Sequence, residues 1–123
     1  MEKTLRILAV DNEPSVALSL RYIFAGPRYR LTAVGSGSDA LAKLDAHSDP
    51  YDVIIVDEKM PELTGVELVS AIRKRGVTSK IMVLSAQLSA EIRAAYERMD
   101  VHVMFGKPFD VVELRSAVDC LAA

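Results

Sequence analysis

The sequence predicts an α/β domain built on one parallel sheet, doubly wound by helices on both faces, and three observations carry that prediction. Short apolar runs of strand length alternate with stretches of helical period, five of each. Successive runs are separated by crossovers of about a dozen or more residues, which demands parallel pairing, and right-handed crossovers place helices on both faces. At 123 residues the chain has the size of one domain, 1–123, with a single core.

The elements follow in order. Leu5-Arg6-Ile7-Leu8-Ala9-Val10 is nearly continuous in hydrophobicity, as suits a strand buried on both faces. Pro14 opens a helix in which Val16, Leu20, Ile23 and Phe24 recur at i, i+4, i+7 and i+8, and Gly26-Pro27 ends it. A second strand, Arg30 to Val34, carries flanking charge and Thr32, which fit an edge position. Gly35, Ser36, Gly37 and Ser38 then turn the chain into a short helix through Ala40, Leu41 and Leu44. Tyr51 to Asp57 sets four β-branched apolar residues between two aspartates, the pattern of a central strand. Met60-Pro61 and Gly65 mark a loop, and Leu68, Val69 and Ile72 form one stripe of a helix that closes at Gly76. Ile81 to Leu84 is a fourth strand; Ile92, Ala95, Tyr96 and Met99 define a fourth helix. Val101 to Phe105 is a fifth strand, and the last helix carries Val111, Leu114, Val118 and Leu121. In the order 2-1-3-4-5 of flavodoxin-like folds the first and third strands end side by side, and chemistry belongs at the carboxyl ends of the strands.

Composition narrows the function classes. Half of the residues are apolar and 26% are charged, which argues against disorder and against a fibrous chain. Fifteen basic against 17 acidic residues leave −2, so no overall field draws the chain to nucleic acid or to an anionic membrane. The single cysteine, Cys120, excludes an internal disulfide and a cysteine-based zinc cluster. The start of the chain shows no apolar segment of signal-peptide or membrane-spanning length, and a cytoplasmic protein is expected.

The first strand ends in Asp11-Asn12-Glu13 and the third in Asp57-Glu58-Lys59, so Asp11, Glu13, Asp57 and Glu58 gather at one edge. Acids collected in a cleft repel one another unless a cation neutralises them, and oxygen ligands of this type suit Mg²⁺. The competing reading is that they cap helices and turns. Ser85 after the fourth strand and Lys107-Pro108 after the fifth bring a hydroxyl and an amine to the same edge. A carboxylate nucleophile, a divalent cation and groups that hold phosphoryl oxygens are the parts of phosphoryl transfer.

Asp11-Asn12, Asp57 followed by Met60-Pro61 and Gly65, Ser85-Ala86 and Lys107-Pro108-Phe109 together resemble the receiver domain of bacterial two-component response regulators, over essentially the whole chain. The resemblance implies that Asp57 accepts phosphate from a phosphohistidine on a histidine kinase or phosphotransfer protein. It implies Asp11, Asn12, Asp57 and the backbone carbonyl of Lys59 around Mg²⁺, with Ser85 and Lys107 on the phosphoryl oxygens. It also implies a cis Lys107-Pro108 peptide and self-catalysed gain and loss of phosphate in place of metabolic enzyme activity. Finally, it implies a switching face, made of the fourth helix, fifth strand and fifth helix, that serves a downstream partner, an output domain or a homodimer.

Two positions depart from the family pattern. Asn12 puts a neutral oxygen where a second carboxylate is usual, so Mg²⁺ is expected to bind more weakly. Beside it, Lys59 either pairs with Asp57 or Asp11 or points into solvent. Met104 stands where these domains usually carry Tyr or Phe, and the adjacent Phe105 points to the opposite face, so the aromatic switch is missing and Met104 is expected in the core. These departures keep a second reading open, a receiver-like docking module that works without phosphorylation. A flavodoxin-type carrier or a hydrolase fits poorly, because acids follow the first strand where a phosphate loop needs glycines, and no G-x-S-x-G elbow is present. His47 and His102 lack ligand partners at metal spacing, Cys120 is expected to pack as a small residue, and Arg73-Lys74-Arg75 reads as a solvated helix end that complements the dipole.

Overall fold

The computed structural model describes residues 4–46, 50–60, 62–101 and 103–122; Pro61, His47 and His102 lie outside them. Strands and helices alternate: β1 Leu5–Val10, α1 Pro14–Ile23, β2 Tyr29–Val34, α2 Gly37–Ala46, β3 Val53–Asp57, α3 Gly65–Lys74, β4 Lys80–Ser85, α4 Ala90–Arg98, β5 Val103–Gly106 and α5 Val111–Ala122. The strands pair in parallel in the order β2-β1-β3-β4-β5, the doubly wound sheet that the alternation predicts.

Side chains on a strand alternate between faces, and that period divides the core into two layers. Leu8, Val10, Ile54, Val56, Ile81 and Val83 meet Ala40, Leu68, Val69, Ile72 and Tyr96 of α2, α3 and α4. Ile7, Ala9, Val53, Ile55, Met82 and Leu84 meet Leu20, Ile23 and Phe24 at α1 and Leu114 and Val118 of α5. With β1 on one side and β4 on the other, every residue of β3 is buried. Helix α3 starts on a reciprocal cap that the sequence reading missed: Thr64 Oγ1 accepts from Glu67 N at 3.2 Å and Glu67 Oε1 from Thr64 N at 2.9 Å. Gly76, at φ 74°, supplies the left-handed turn after α3.

Several local expectations are corrected. Val101 lies ahead of β5 and Tyr51 ahead of β3. Val111 is 49% exposed, because α5 meets the sheet with Leu114 and Val118 and its first turn stands clear. Cys120 is exposed and not among the packed residues of either core layer. Arg73 is no solvated helix end: its guanidinium donates to Met99 O and Asp100 O at 2.9 Å and to Val77 O and Ser79 O at 3.0 Å. Burial lowers its pKa, with the charge of Asp100 opposing. Arg75 pairs with Asp45 of α2 at 2.9 Å.

Candidate functional site

Parallel pairing sets Val10 beside Val56, so Asp11 and Asp57 leave the sheet at one edge. Both carboxylates are buried, with Asp57 only 2% exposed. Lys107 arrives from the β5–α5 loop, held by its N–H to Ser85 O at 2.8 Å and followed by a cis Lys107–Pro108 peptide. Its ammonium stands 3.1 Å from Asp57 Oδ1, 3.4 Å from Asp11 Oδ2 and 3.4 Å from Glu13 Oε1. Asp57 Oδ1 also accepts the Lys59 N–H at 3.3 Å, while Asp57 Oδ2 is buried without a hydrogen-bond partner among the described residues. Asp11 Oδ1 accepts the Glu13 N–H at 2.8 Å.

Burial raises the Asp11 pKa and the charge of Asp57 adds to the rise, against the pull of the Glu13 N–H and of Lys107. Burial alone would lower Lys107, but its hydrogen bond to Asp57 and the charges of Asp11, Asp57 and Glu13 outweigh it, so the ammonium is held above its usual value. One ammonium against three carboxylates leaves two negative charges uncompensated. Carboxylate oxygens of Asp11, Glu13 and Asp57 lie within 4.8 Å of one another. Unit charges at such a separation repel by roughly 3 kcal/mol at an effective dielectric of about 20. An all-oxygen donor set, a deficit of two charges and the orphaned Asp57 Oδ2 together fit a hard divalent cation.

The structure thus brings Asp11, Asp57 and Lys107 together and sorts the other expected residues. Ser85 is buried at the end of β4 with its hydroxyl turned into its own loop, donating to Gln87 O at 2.7 Å and accepting from Gln87 N at 3.1 Å. Asn12 is exposed, and the third carboxylate of the cluster belongs to Glu13, to which the sequence reading gave no ligand role. The chain has left β1 at Val10 and bends at Asn12, so no strand period tells which of residues 12 and 13 turns toward the cluster. Lys59 is exposed; its N–H, and not its ammonium, reaches Asp57. Met104 is half-buried against the α4-side layer and Phe105 packs into the other, as their adjacency requires. Glu58 faces away from the acidic cluster, and Tyr96, buried in α4, donates to Glu58 Oε1 at 2.6 Å, a pairing the sequence reading did not find.

The response regulator receiver domain family model matches residues 7–119. Response regulator MprA of Mycobacterium leprae is 32% identical over 117 residues, 95% of this chain and 50% of MprA. Chemotaxis protein CheY4 of Vibrio cholerae superposes with a TM-score of 0.88 at 26% identity, over 97% of this chain and 99% of CheY4. Response regulator TrrA of Thermotoga maritima, solved in complex with Mg²⁺-BeF, superposes with a TM-score of 0.80 at 30% identity, over 96% and 99% of the two chains. The chain spans about half the length of curated relatives such as MprA. Among the described residues no helix is long and apolar enough to cross a membrane.

Proposed function

Because the chain belongs to the response regulator receiver domain family, we propose that Asp57 is a phosphoacceptor, loaded in the cytoplasm by a phosphohistidine of a histidine kinase or phosphotransfer protein. The observation that carries this reading is the state of the Asp57 carboxylate. One oxygen is held by Lys107 Nζ at 3.1 Å, which fixes the group, while the other is buried and has no hydrogen-bond partner among the described residues. A positioned carboxylate with one free oxygen is a competent nucleophile.

Asp57 Oδ2 attacks phosphorus as the P–N bond to the donor imidazole breaks, the bonding pair leaves with the imidazole, and an acyl phosphate forms. Lys107 trades one of its carboxylate partners for a phosphoryl oxygen. The Ser85 hydroxyl leaves Gln87 O and donates to a second phosphoryl oxygen, so its present bond is one that loading exchanges. Asp11, Asp57, the backbone carbonyl of Lys59 and residue 12 or 13 would hold Mg²⁺, which when bound would offset charge on the transferring group. The same pocket returns phosphate to water without metabolic turnover, and a downstream protein or output domain reads the α4, β5 and α5 face.

Incubation with acetyl phosphate and Mg²⁺, followed by intact mass, tests the reading. One added phosphate is expected in the wild type and none in Asp57→Asn. An unmodified wild type, or equal modification of Asp57→Asn, overturns it.

A further inference from the structure

Helix α4 has one fully buried side chain, Tyr96, at 0% exposure. Ile92 and Met99 are only partly buried, so the seat of α4 on the sheet depends mainly on that ring and on what its hydroxyl does. The hydroxyl donates to Glu58 Oε1 at 2.6 Å. Glu58 directly follows Asp57, and its backbone is held on two sides. Its N–H donates to Leu84 O at 2.9 Å beside β4, and its carbonyl accepts from Gly65 N at 2.9 Å at the start of α3. One residue beside Asp57 therefore joins β4, α3 and α4.

Room for this contact is built into the chain. A Cβ on Gly65 would collide with the Tyr96 hydroxyl and stand 2.8 Å from Glu58 Cα, so the phenol reaches its acceptor only because position 65 is glycine. Burial first, then the bond to Glu58 and its charge, push the phenol pKa far above its usual value, and it remains a donor at neutral pH. A phenol donating to a carboxylate is a charge-assisted bond, and its strength rises as water is excluded.

We propose that Tyr96 is a positioning residue: through Glu58 it ties the seat of α4 to the backbone beside Asp57, so that occupancy of Asp57 is read on the α4 surface. This rests on the phosphoacceptor reading and adds the route by which the site is read. β5 offers no equivalent, because Met104 packs in the same layer as Tyr96 but has no hydroxyl to bond with. A carboxylate anchored at its tip passes a displacement of its backbone on to its partner, where an apolar side chain would slide.

Amide NMR with Mg²⁺ and beryllium fluoride, a phosphoryl mimic, tests the route. In the wild type, shifts are expected both at the site, Glu58 to Met60 and Gly106, and along α4, Ala90 to Arg98. In Tyr96→Phe, which keeps the ring, the site shifts should persist while those in α4 fall by roughly threefold or more. Glu58→Met should match it, the double variant should be no worse than either single one, and Glu58→Gln, which keeps an acceptor oxygen, should retain the α4 response. Full α4 shifts in both Tyr96→Phe and Glu58→Met overturn the proposal alone. A wild type without site shifts overturns the phosphoacceptor reading and this route with it.

Discussion

Glu13, and not its neighbour Asn12, supplies the third carboxylate of the cluster beside Lys107. Asn12 faces solvent, whereas Glu13 leans back to within 3.4 Å of the Lys107 ammonium and contributes the third negative charge of the cluster. Its side chain is 56% exposed, so water screens part of its attraction for a cation. Glu13→Gln is accordingly expected to weaken Mg²⁺ binding by about three- to tenfold in calorimetric titration, and Asn12→Ala by less. The reverse ranking would put the ligand at Asn12, as the resemblance implies. At this scale the sequence was legible where a residue's role comes from its type and its place at a strand end, as for Asp57 and Lys107. It was illegible where the role depends on which way one side chain turns, as for Glu13, Ser85 and Tyr96. Cys120 failed for the same reason: a helix period gives a stripe, but where its edge falls is set by packing of α5 against the sheet.

Helix α3 shows how an element is held by its ends. Its first turn is closed by the Thr64 and Glu67 cap, and its last carries Arg73, whose guanidinium gathers carbonyls from the approach to β4 and from the chain just past α4. One of these belongs to Asp100, which sits at φ 59°, a left-handed conformation that costs a non-glycine residue energy. Arg73→Ala strands these carbonyls, and water reaches only some of them because the side chain is half-buried. The expected loss is about 2–4 kcal/mol in urea unfolding. Arg73→Lys should recover less than half of it, since one ammonium cannot span the fork. Both outcomes are absent if Arg73 is the solvated helix end that the charge run suggests. Elements were legible from hydrophobic period, and β3 most of all, because a strand buried on both faces admits no polar residue until its end. The cross-links between elements were not legible, since a carbonyl acceptor has no sequence signature.

The molecule as a whole keeps a concentrated charge, two of its three carboxylates buried, at the carboxyl edge of the sheet, and this links folding to cation binding. A cation that binds only the folded chain stabilises it by mass action. Mg²⁺ at hundredfold excess over its Kd should therefore raise the melting temperature by about 10 °C. Lys107→Ala should melt lower than wild type without metal, because three carboxylates then repel one another unopposed, and the gap should narrow as Mg²⁺ is added. A Mg²⁺-independent melting temperature in both proteins would mean that the cluster holds no divalent ion. The fold at this scale was the most legible feature of the chain, because alternation and crossover length leave few topologies open. The sheet's two layers also make a parity rule: in β3, odd positions serve α1 and α5 and even positions serve α2, α3 and α4. Asp57 and Glu58 are thus neighbours in sequence with opposite addresses. Deleting a single residue within β3 would present Glu58 to Lys107 and Lys59 to Tyr96, and inserting one would present Val56 to Lys107 and Asp57 to Tyr96, so either change of length breaks at least one of the two pairings.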